Sequence, residues 1–249
     1  MSPLVTYLLR LGDDNLILAQ RLGELVSWMP ELEEDIAVAN LSLDHLGQAR
    51  ALYTYAGEAE DAGRDEDDLA MLRDEREFFN SVLVEQPNGD FGQTIARQLL
   101  VDAFQVPLYT ALAASADAQL AGIAAKAVKE ATYHLRYSAR WTVRLGDGTD
   151  ESHARMQAGL DAMWPFAGDL FTTDEVEQQL RADGIVPDYD DLRASYTTTV
   201  AEVLAEATLD VPADPYERRG GRIGIHTEHL GHLLPEMQYL HRAHAGARW

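Results

Sequence analysis

The chain has 249 residues, 46% of them hydrophobic, which is enough for a large buried core in a globular protein. Its formal net charge of −22 argues against binding to nucleic acid or to anionic membranes, because both repel so acidic a surface. The absence of cysteine excludes disulfides, thiolate metal sites and a cysteine nucleophile. Neither an apolar run of 18 residues nor an export signal is found, so we predict a cytoplasmic protein.

Arginine supplies nearly all of the positive charge. Of the 20 basic residues only Lys126 and Lys129 are lysine. Excess acid with scarce lysine is typical of a salt-adapted surface, because salt screens the repulsion between hydrated carboxylates. A genome rich in G and C, whose codons favour arginine over lysine, explains the bias equally well. The charge therefore indicates habitat rather than activity.

Helical periodicity runs through most of the chain, and no alternating strand pattern of convincing length occurs. We therefore predict an all-α fold, divided by breakers such as Pro30, the 86–89 segment and the 146–148 segment. The predicted helices cover about 2–28, 31–59, 67–84, 90–115, 117–145, 150–168, 173–182 and 189–208, and a last helix ends near 244.

Four of the long helices carry a 3-4-3-4 stripe of the kind that faces the centre of a bundle. Each stripe has one acid near its middle, and these acids are Asp14, Asp44, Asp102 and Glu130. Burying an unpaired carboxylate costs several kcal/mol, so four acids at one level indicate an internal network or a metal site. We predict one ferritin-like domain over 1–249, with a core four-helix bundle over about 2–145 and a C-terminal helical extension over about 150–249.

Two stretches resemble damaged copies of the Glu-x-x-His motif, two copies of which supply ligands to a di-iron centre in ferritin-like proteins. Asp44 is followed by Gly47 at the histidine position, and Glu130 by Tyr133. His134 comes one residue later. We therefore predict no metal, and expect a buried network of acids with His134, Tyr133 and Gln48. The positions that we assign to this vestigial site are Asp14, Asp44, Gly47, Asp102, Glu130, Tyr133 and His134.

Two further groups of residues carry polar side chains that could bind a ligand. His226, His229 and His232 do not share one helical face well, which favours a structural role over metal binding. The glycine-rich loop near Arg218, Arg219 and Arg222 lacks a complete phosphate-binding motif. It could contact a partner subunit or the phosphates of a coenzyme, or be a solvated loop.

Five blocks of the sequence carry a resemblance to one family. They read YLLRLGDDNLILAQRLGE, LDHLGQAR, VEQPNGDFGQTIARQ, KEATYHLRYSARWTVRLGDGT and GIHTEHLGHLLPEMQYL. These blocks are similar to the non-catalytic ferritin-like subunit of ring-1,2-phenylacetyl-CoA epoxidase, the multicomponent oxygenase of aerobic phenylacetate degradation. The similarity extends from about Tyr7 to Trp249, although the surface is more acidic than is typical of the family.

The resemblance implies a subunit with no catalytic residue, no cofactor and no metal of its own. The di-iron centre would belong to a homologous catalytic subunit, and the two would form a heterotetramer with two copies of each. Electrons would come from a separate reductase, and a small bridging subunit would help to assemble the complex. Whether the isolated chain forms a homodimer stays open, and neither nucleic acid nor membrane is an expected partner.

The leading hypothesis is a scaffold subunit that docks on the di-iron subunit and stabilises it. Two alternatives from other classes remain open. The chain could be an iron-binding ferritin relative without redox turnover, or a di-iron oxygenase or oxidase in its own right. The ligands of that oxygenase would be Asp14, Asp44, Asp102, Glu130 and His134.

Overall fold

The chain is helical, and a computed structural model describes residues 1–29, 31–213, 217–244 and 246–247. The predicted all-α, ferritin-like fold class is confirmed, and no strand occurs in the ranges described. Within the same ranges, no helix is long and apolar enough to cross a membrane. The α-helices are α1 (Pro3–Gly23), α2 (Leu32–Glu60), α3 (Glu66–Met71), α4 (Phe91–Leu112), α5 (Ala118–Gly146), α6 (Asp150–Ala167), α7 (Glu175–Ala182), α8 (Tyr189–Glu206) and α9 (Glu228–Ala243).

The chain forms two compact units. The first comprises Met1–Pro87 together with the chain from Gly220 onward, and the second comprises Asn88–Arg219. Helix α9 therefore belongs to the same unit as α1, although the sequence placed it in an extension that begins near residue 150. The prediction of a single domain over 1–249 stays a prediction.

The core of the first unit is an antiparallel pair formed by α1 and α2. Nearly every residue of α1 from 5 to 22 is buried, so this helix lies inside the protein on all its sides. Ser42 Oγ on α2 donates to the Ala19 carbonyl at 2.8 Å. Further along, a Cβ added to Gly12 would lie 2.6 Å from Tyr53 Cε1. Glycine at this position thus makes room for the tyrosine ring of the opposite helix.

The prediction of a third helix over 67–84 is wrong, because only Glu66–Met71 is α-helical there. The segment that follows uses its backbone amides to reach α1. The Ser81 amide, for example, donates to Asp14 Oδ1 at 2.6 Å. In a continuous helix the same amide would bond to a carbonyl four residues earlier. Buried carboxylates of α1 therefore draw this segment out of the helical conformation.

The other boundaries agree better with the sequence. The first helix ends at Gly23 rather than at 28, and residues 24–28 form turns. The remaining predicted ends lie within three residues of the observed ones.

In the second unit, α4 and α5 are joined by a short connection and run antiparallel. Asp90 accepts a hydrogen bond from the Gln93 amide and so caps α4, at 2.9 Å. Helix α6 approaches α4 at Gly159, where an added Cβ would lie 2.7 Å from Gln93 Cα.

Candidate functional site

The positions assigned to the vestigial site differ in burial. Three of them are buried, namely Asp14 at 5% exposure and Asp102 and His134 at 0%. Three are half-buried, namely Asp44, Gly47 and Glu130. Tyr133 is 45% exposed, so its expected place in a buried network is wrong.

On α2 the buried position near the middle of the stripe is His45, one residue after the predicted Asp44. The buried positions include Leu41, His45 and Gln48, whereas Asp44 is half-buried. His45 is fully buried, and its Nδ1 lies 2.8 Å from Asn15 Oδ1 on α1. Apolar residues also lie on the outward side of α2, so the apolar pattern alone does not fix the inward direction of this helix to within one residue.

On α5 the predicted acid is displaced in the same way, because Ala131 is buried one residue after Glu130. Ala131, His134 and Ser138 are buried. Glu130 is half-buried, and its Oε1 lies 3.4 Å from Lys126 Nζ. Both damaged motifs therefore keep a histidine inside and a carboxylate near the surface. The expectation that the acids kept an inward position while the histidines were lost is corrected for these two helices.

Asp14 is buried and is held by an arginine. Arg222 Nη1 donates to its Oδ1 at 3.0 Å and Arg222 Nη2 to its Oδ2 at 2.8 Å. Burial raises the pKa of the Asp14 carboxyl, while the Arg222 guanidinium and the Ser81 amide act in the opposite direction. Three donors aimed at two oxygens match an ionised carboxylate, which can only accept. The bidentate arrangement is the strong form of such a pair.

A second buried acid on α1, Asp13, was not among the sequence candidates. Its carboxylate accepts from the Arg73 guanidinium, from Tyr53 Oη at 2.5 Å and from the Phe79 amide at 2.7 Å. Burial opposes the charge of Arg73, but Asp13 outweighs it and raises the pKa of the guanidinium. Because α1 is buried on all sides, helical periodicity gave no signal that could distinguish Asp13 from its neighbours.

The third buried acid of the first unit, Glu85, binds the segment that leads into α9. His226 Nδ1 lies 2.8 Å from Glu85 Oε2, and His226 Nε2 lies 2.8 Å from the Phe78 carbonyl. Both neighbours are acceptors, so the ring donates from both nitrogens and is an imidazolium. Burial opposes this charge, but the hydrogen bond and charge of Glu85 outweigh it and raise the pKa of His226. These contacts agree with a structural role for His226, whereas the role predicted for His229 and His232 stays a prediction.

The arginine loop divides between two environments. Arg222 is 5% exposed and lies inside the first unit with Asp14, so it is not part of a solvated basic patch. Arg218 Cζ lies 5.1 Å from the centre of the Phe166 ring, and Arg219 forms an ion pair with Glu217.

In the second unit Asp102 is one of the buried acids. Ser138 Oγ donates to Asp102 Oδ2 at 2.7 Å, and ligand atoms of Asp102 and His134 lie within 4.8 Å of each other. Burial raises the pKa of Asp102 to about 8, although the Ser138 hydroxyl acts against this shift. A carboxyl must lose its proton before it binds a metal ion, so this shift makes metal binding by Asp102 dependent on pH.

A di-iron centre of the ferritin-like class needs roughly four carboxylates and two histidines. In the first unit the buried acids already have cationic partners, which are Arg73, Arg222 and His226. Asp44 and Glu130, the motif carboxylates, are half-buried. The donor set therefore fits a network that stabilises structure better than it fits two irons.

These features define a class of protein, a ferritin-like helical chain in which arginine and histidine cations neutralise buried acids. The chain belongs to the phenylacetic acid catabolic protein family, and the match covers residues 1–249. It is similar to one of the subunits of 1,2-phenylacetyl-CoA epoxidase from Escherichia coli (strain K12), with 52% identity over 249 residues and 100% of both chains covered. The family resemblance found in the sequence blocks is thereby confirmed.

Proposed function

We propose that the chain is the structural, non-catalytic subunit of a phenylacetyl-CoA epoxidase in aerobic phenylacetate degradation. It docks on a homologous catalytic subunit that carries the di-iron centre, in a heterotetramer with two copies of each. A small bridging subunit joins the assembly. The chain itself holds no cofactor and contributes no catalytic residue.

The observation that carries this proposal is the set of hydrogen bonds that the Asp14 carboxylate accepts. Its two oxygens accept three hydrogen bonds, two from Arg222 and one from the Ser81 amide. A carboxylate in this arrangement has little capacity left for a metal ion, and a guanidinium beside it repels one. A di-iron oxygenase using Asp14 as a ligand would have to break this bidentate pair.

The damaged motifs support the same conclusion. Gly47 offers no donor atom, and Tyr133 is largely exposed at the position where the second histidine would stand. The 52% identity to an epoxidase subunit over the full chain supports an oxygenase complex as the setting.

Reconstitution tests the proposal. The chain, the catalytic subunit and their mixture are each assayed for epoxidation of phenylacetyl-CoA with the reductase present. We expect no turnover by the chain alone, and full activity only when both subunits are present. Turnover by the chain alone would contradict the proposal, as would a catalytic subunit that is equally stable and active without it.

A further inference from the structure

The outward side of α2 carries an apolar stripe. Residues 32, 36, 39, 43, 46 and 47 fall within about 100° of one another around the helix, at 100° per residue. We call this stripe the α2 outer face. Four of its side chains are large, apolar and exposed, namely Leu32 at 71%, Ile36 at 53%, Leu43 at 62% and Leu46 at 42%.

The turn before α2 carries a further exposed apolar side chain. Trp28 is 82% exposed, and its amide donates to the Leu25 carbonyl at 2.9 Å. Ser27 has a φ of 76°, in the left-handed region, and its amide donates to Asp35 Oδ1 at 2.6 Å. This bond ties the turn to the first turns of α2. Trp28 therefore lies in a turn that a hydrogen bond fixes to the first turns of α2, a few residues before the α2 outer face begins.

Single exposed apolar residues are normal, but a contiguous row of them marks an interaction site. A helix at a protein surface usually has a polar outward side. Here the inward side is largely apolar, and the outward side also holds leucine and isoleucine. A Cβ added to Gly47 would meet nothing within 4 Å, so no contact inside the chain requires glycine there. The bare backbone at that point permits close approach by a neighbour.

Charge decides what kind of neighbour fits. Acidic side chains surround the N-terminal end of the α2 outer face, including Glu31, Glu33 and Asp35. A second copy of this chain would bring the same acids and another net charge of −22 to the contact. Like charges brought together across an interface are unfavourable. The complementary partner has an apolar helical face bordered by arginine or lysine.

We infer that the α2 outer face with Trp28 is the surface on which the catalytic subunit docks. This inference rests on the proposed function and adds the location of the contact. The contact has the anatomy of a stable interface, in which aromatic and aliphatic side chains form a desolvated centre and charges lie at the rim.

The test uses the full chain and the catalytic subunit of the same epoxidase. Ile36→Gln and Leu43→Gln remove apolar contact without adding charge, and glutamine is well tolerated in helices. Tyr239→Gln on α9 is the matched control, because Tyr239 is also helical and is 72% exposed. The dissociation constant is measured by calorimetry, and the thermal midpoint of each free variant checks that it folds.

We expect each α2 variant to weaken binding by about tenfold or more, and the double variant to abolish it at micromolar concentrations. The Tyr239 variant should bind like the wild type. If the α2 variants bind with unchanged affinity while the wild type forms the complex, the docking surface is overturned and the proposed function stands. A wild-type chain that forms no complex contradicts the proposed function itself.

Sedimentation of the isolated chain tests whether the α2 outer face is instead a contact between two copies of the chain. If the wild type is a dimer and Leu43→Gln makes it a monomer, the α2 outer face is a contact between copies, and the inference is overturned. We expect the variant to leave the sedimentation coefficient unchanged.

Discussion

Arginine and histidine side chains stand beside the buried acids of the first unit. Arg222 binds Asp14, Arg73 binds Asp13 and His226 binds Glu85, each inside the protein. Replacing a whole buried ion pair by apolar residues is often nearly neutral for stability, whereas removing one partner leaves an uncompensated charge. The stability of the first unit therefore depends on both partners of each pair being present.

The Asp14–Arg222 pair gives a direct prediction. Arg222→Met keeps much of the side-chain volume but leaves the Asp14 carboxyl buried without its cation. The free energy of unfolding, measured with urea, should fall by about 3–5 kcal/mol. Arg219→Met serves as control, because Arg219 lies in the same loop with a side chain 43% exposed. It should change the free energy by less than about 0.5 kcal/mol. Equal effects of the two substitutions would show that the buried pair has no special role.

His226 predicts a pH dependence of stability. The pKa of His226 is raised in the folded state by Glu85. The stability that the charged ring contributes to the folded chain is therefore fully present below the unfolded pKa of about 6.5. It is lost as the pH rises through the folded pKa.

His226→Gln can still donate to Glu85 but does not titrate. The difference in free energy of unfolding between wild type and this variant should therefore be largest below pH 6.5 and shrink at alkaline pH. A difference that is constant from pH 5 to 9 would contradict the charged pair.

The sequence predicted some of these residues and missed others. Asp14 and Asp102 were assigned correctly to the interior, because each lies on a stripe of apolar residues. Asp13 was missed because α1 is buried on every side, and Glu85 because it lies in irregular chain that periodicity cannot describe. The cationic partners of Asp13, Asp14 and Glu85 lie 60 or more positions away along the chain, so local patterns carry no information about them.

At the scale of helices, two glycines distinguish close packing from an open surface. In Gly12→Ala the new Cβ would lie 2.6 Å from the Tyr53 ring, so we expect a loss of about 1–3 kcal/mol in the free energy of unfolding. In Gly47→Ala the Cβ meets nothing within 4 Å, and the free chain should gain about 0.5–1 kcal/mol from helix propensity. Thermal unfolding of the two variants measures both. If both substitutions changed the free energy of unfolding in the same direction, the packing described for α1 and α2 would be contradicted.

The sequence predicted helix ends correctly where residues next to the end determine it. Asp90 and Asp117 cap α4 and α5 through the Gln93 and Leu120 amides, and the sequence placed both starts within one residue. The third helix was not predictable, since its residues have helical propensity but their amides bond to side chains of α1. On α2, two apolar faces left the register ambiguous by one residue, which exchanged His45 with Asp44.

At the scale of the whole chain, the net charge of −22 opposes the compact state through self-repulsion. Salt screens this repulsion, with a Debye length that falls from about 30 Å at 0.01 M to about 10 Å at 0.1 M. The thermal midpoint of the isolated chain should therefore rise as KCl is increased over this range. A midpoint that is independent of salt would show that the acidic surface is not destabilising, and would favour genome composition over habitat as its origin.

The chain belongs to the phenylacetic acid catabolic protein family, and arginine and histidine cations neutralise the buried acids Asp13, Asp14 and Glu85 of its first unit. The central claim is that the chain supports a catalytic subunit and has no di-iron centre of its own. Metal analysis of the chain, purified alone after growth in iron-replete medium, tests this claim most directly, with the catalytic subunit as positive control. We predict no iron pair in the isolated chain. A content of about two irons per chain would contradict the account.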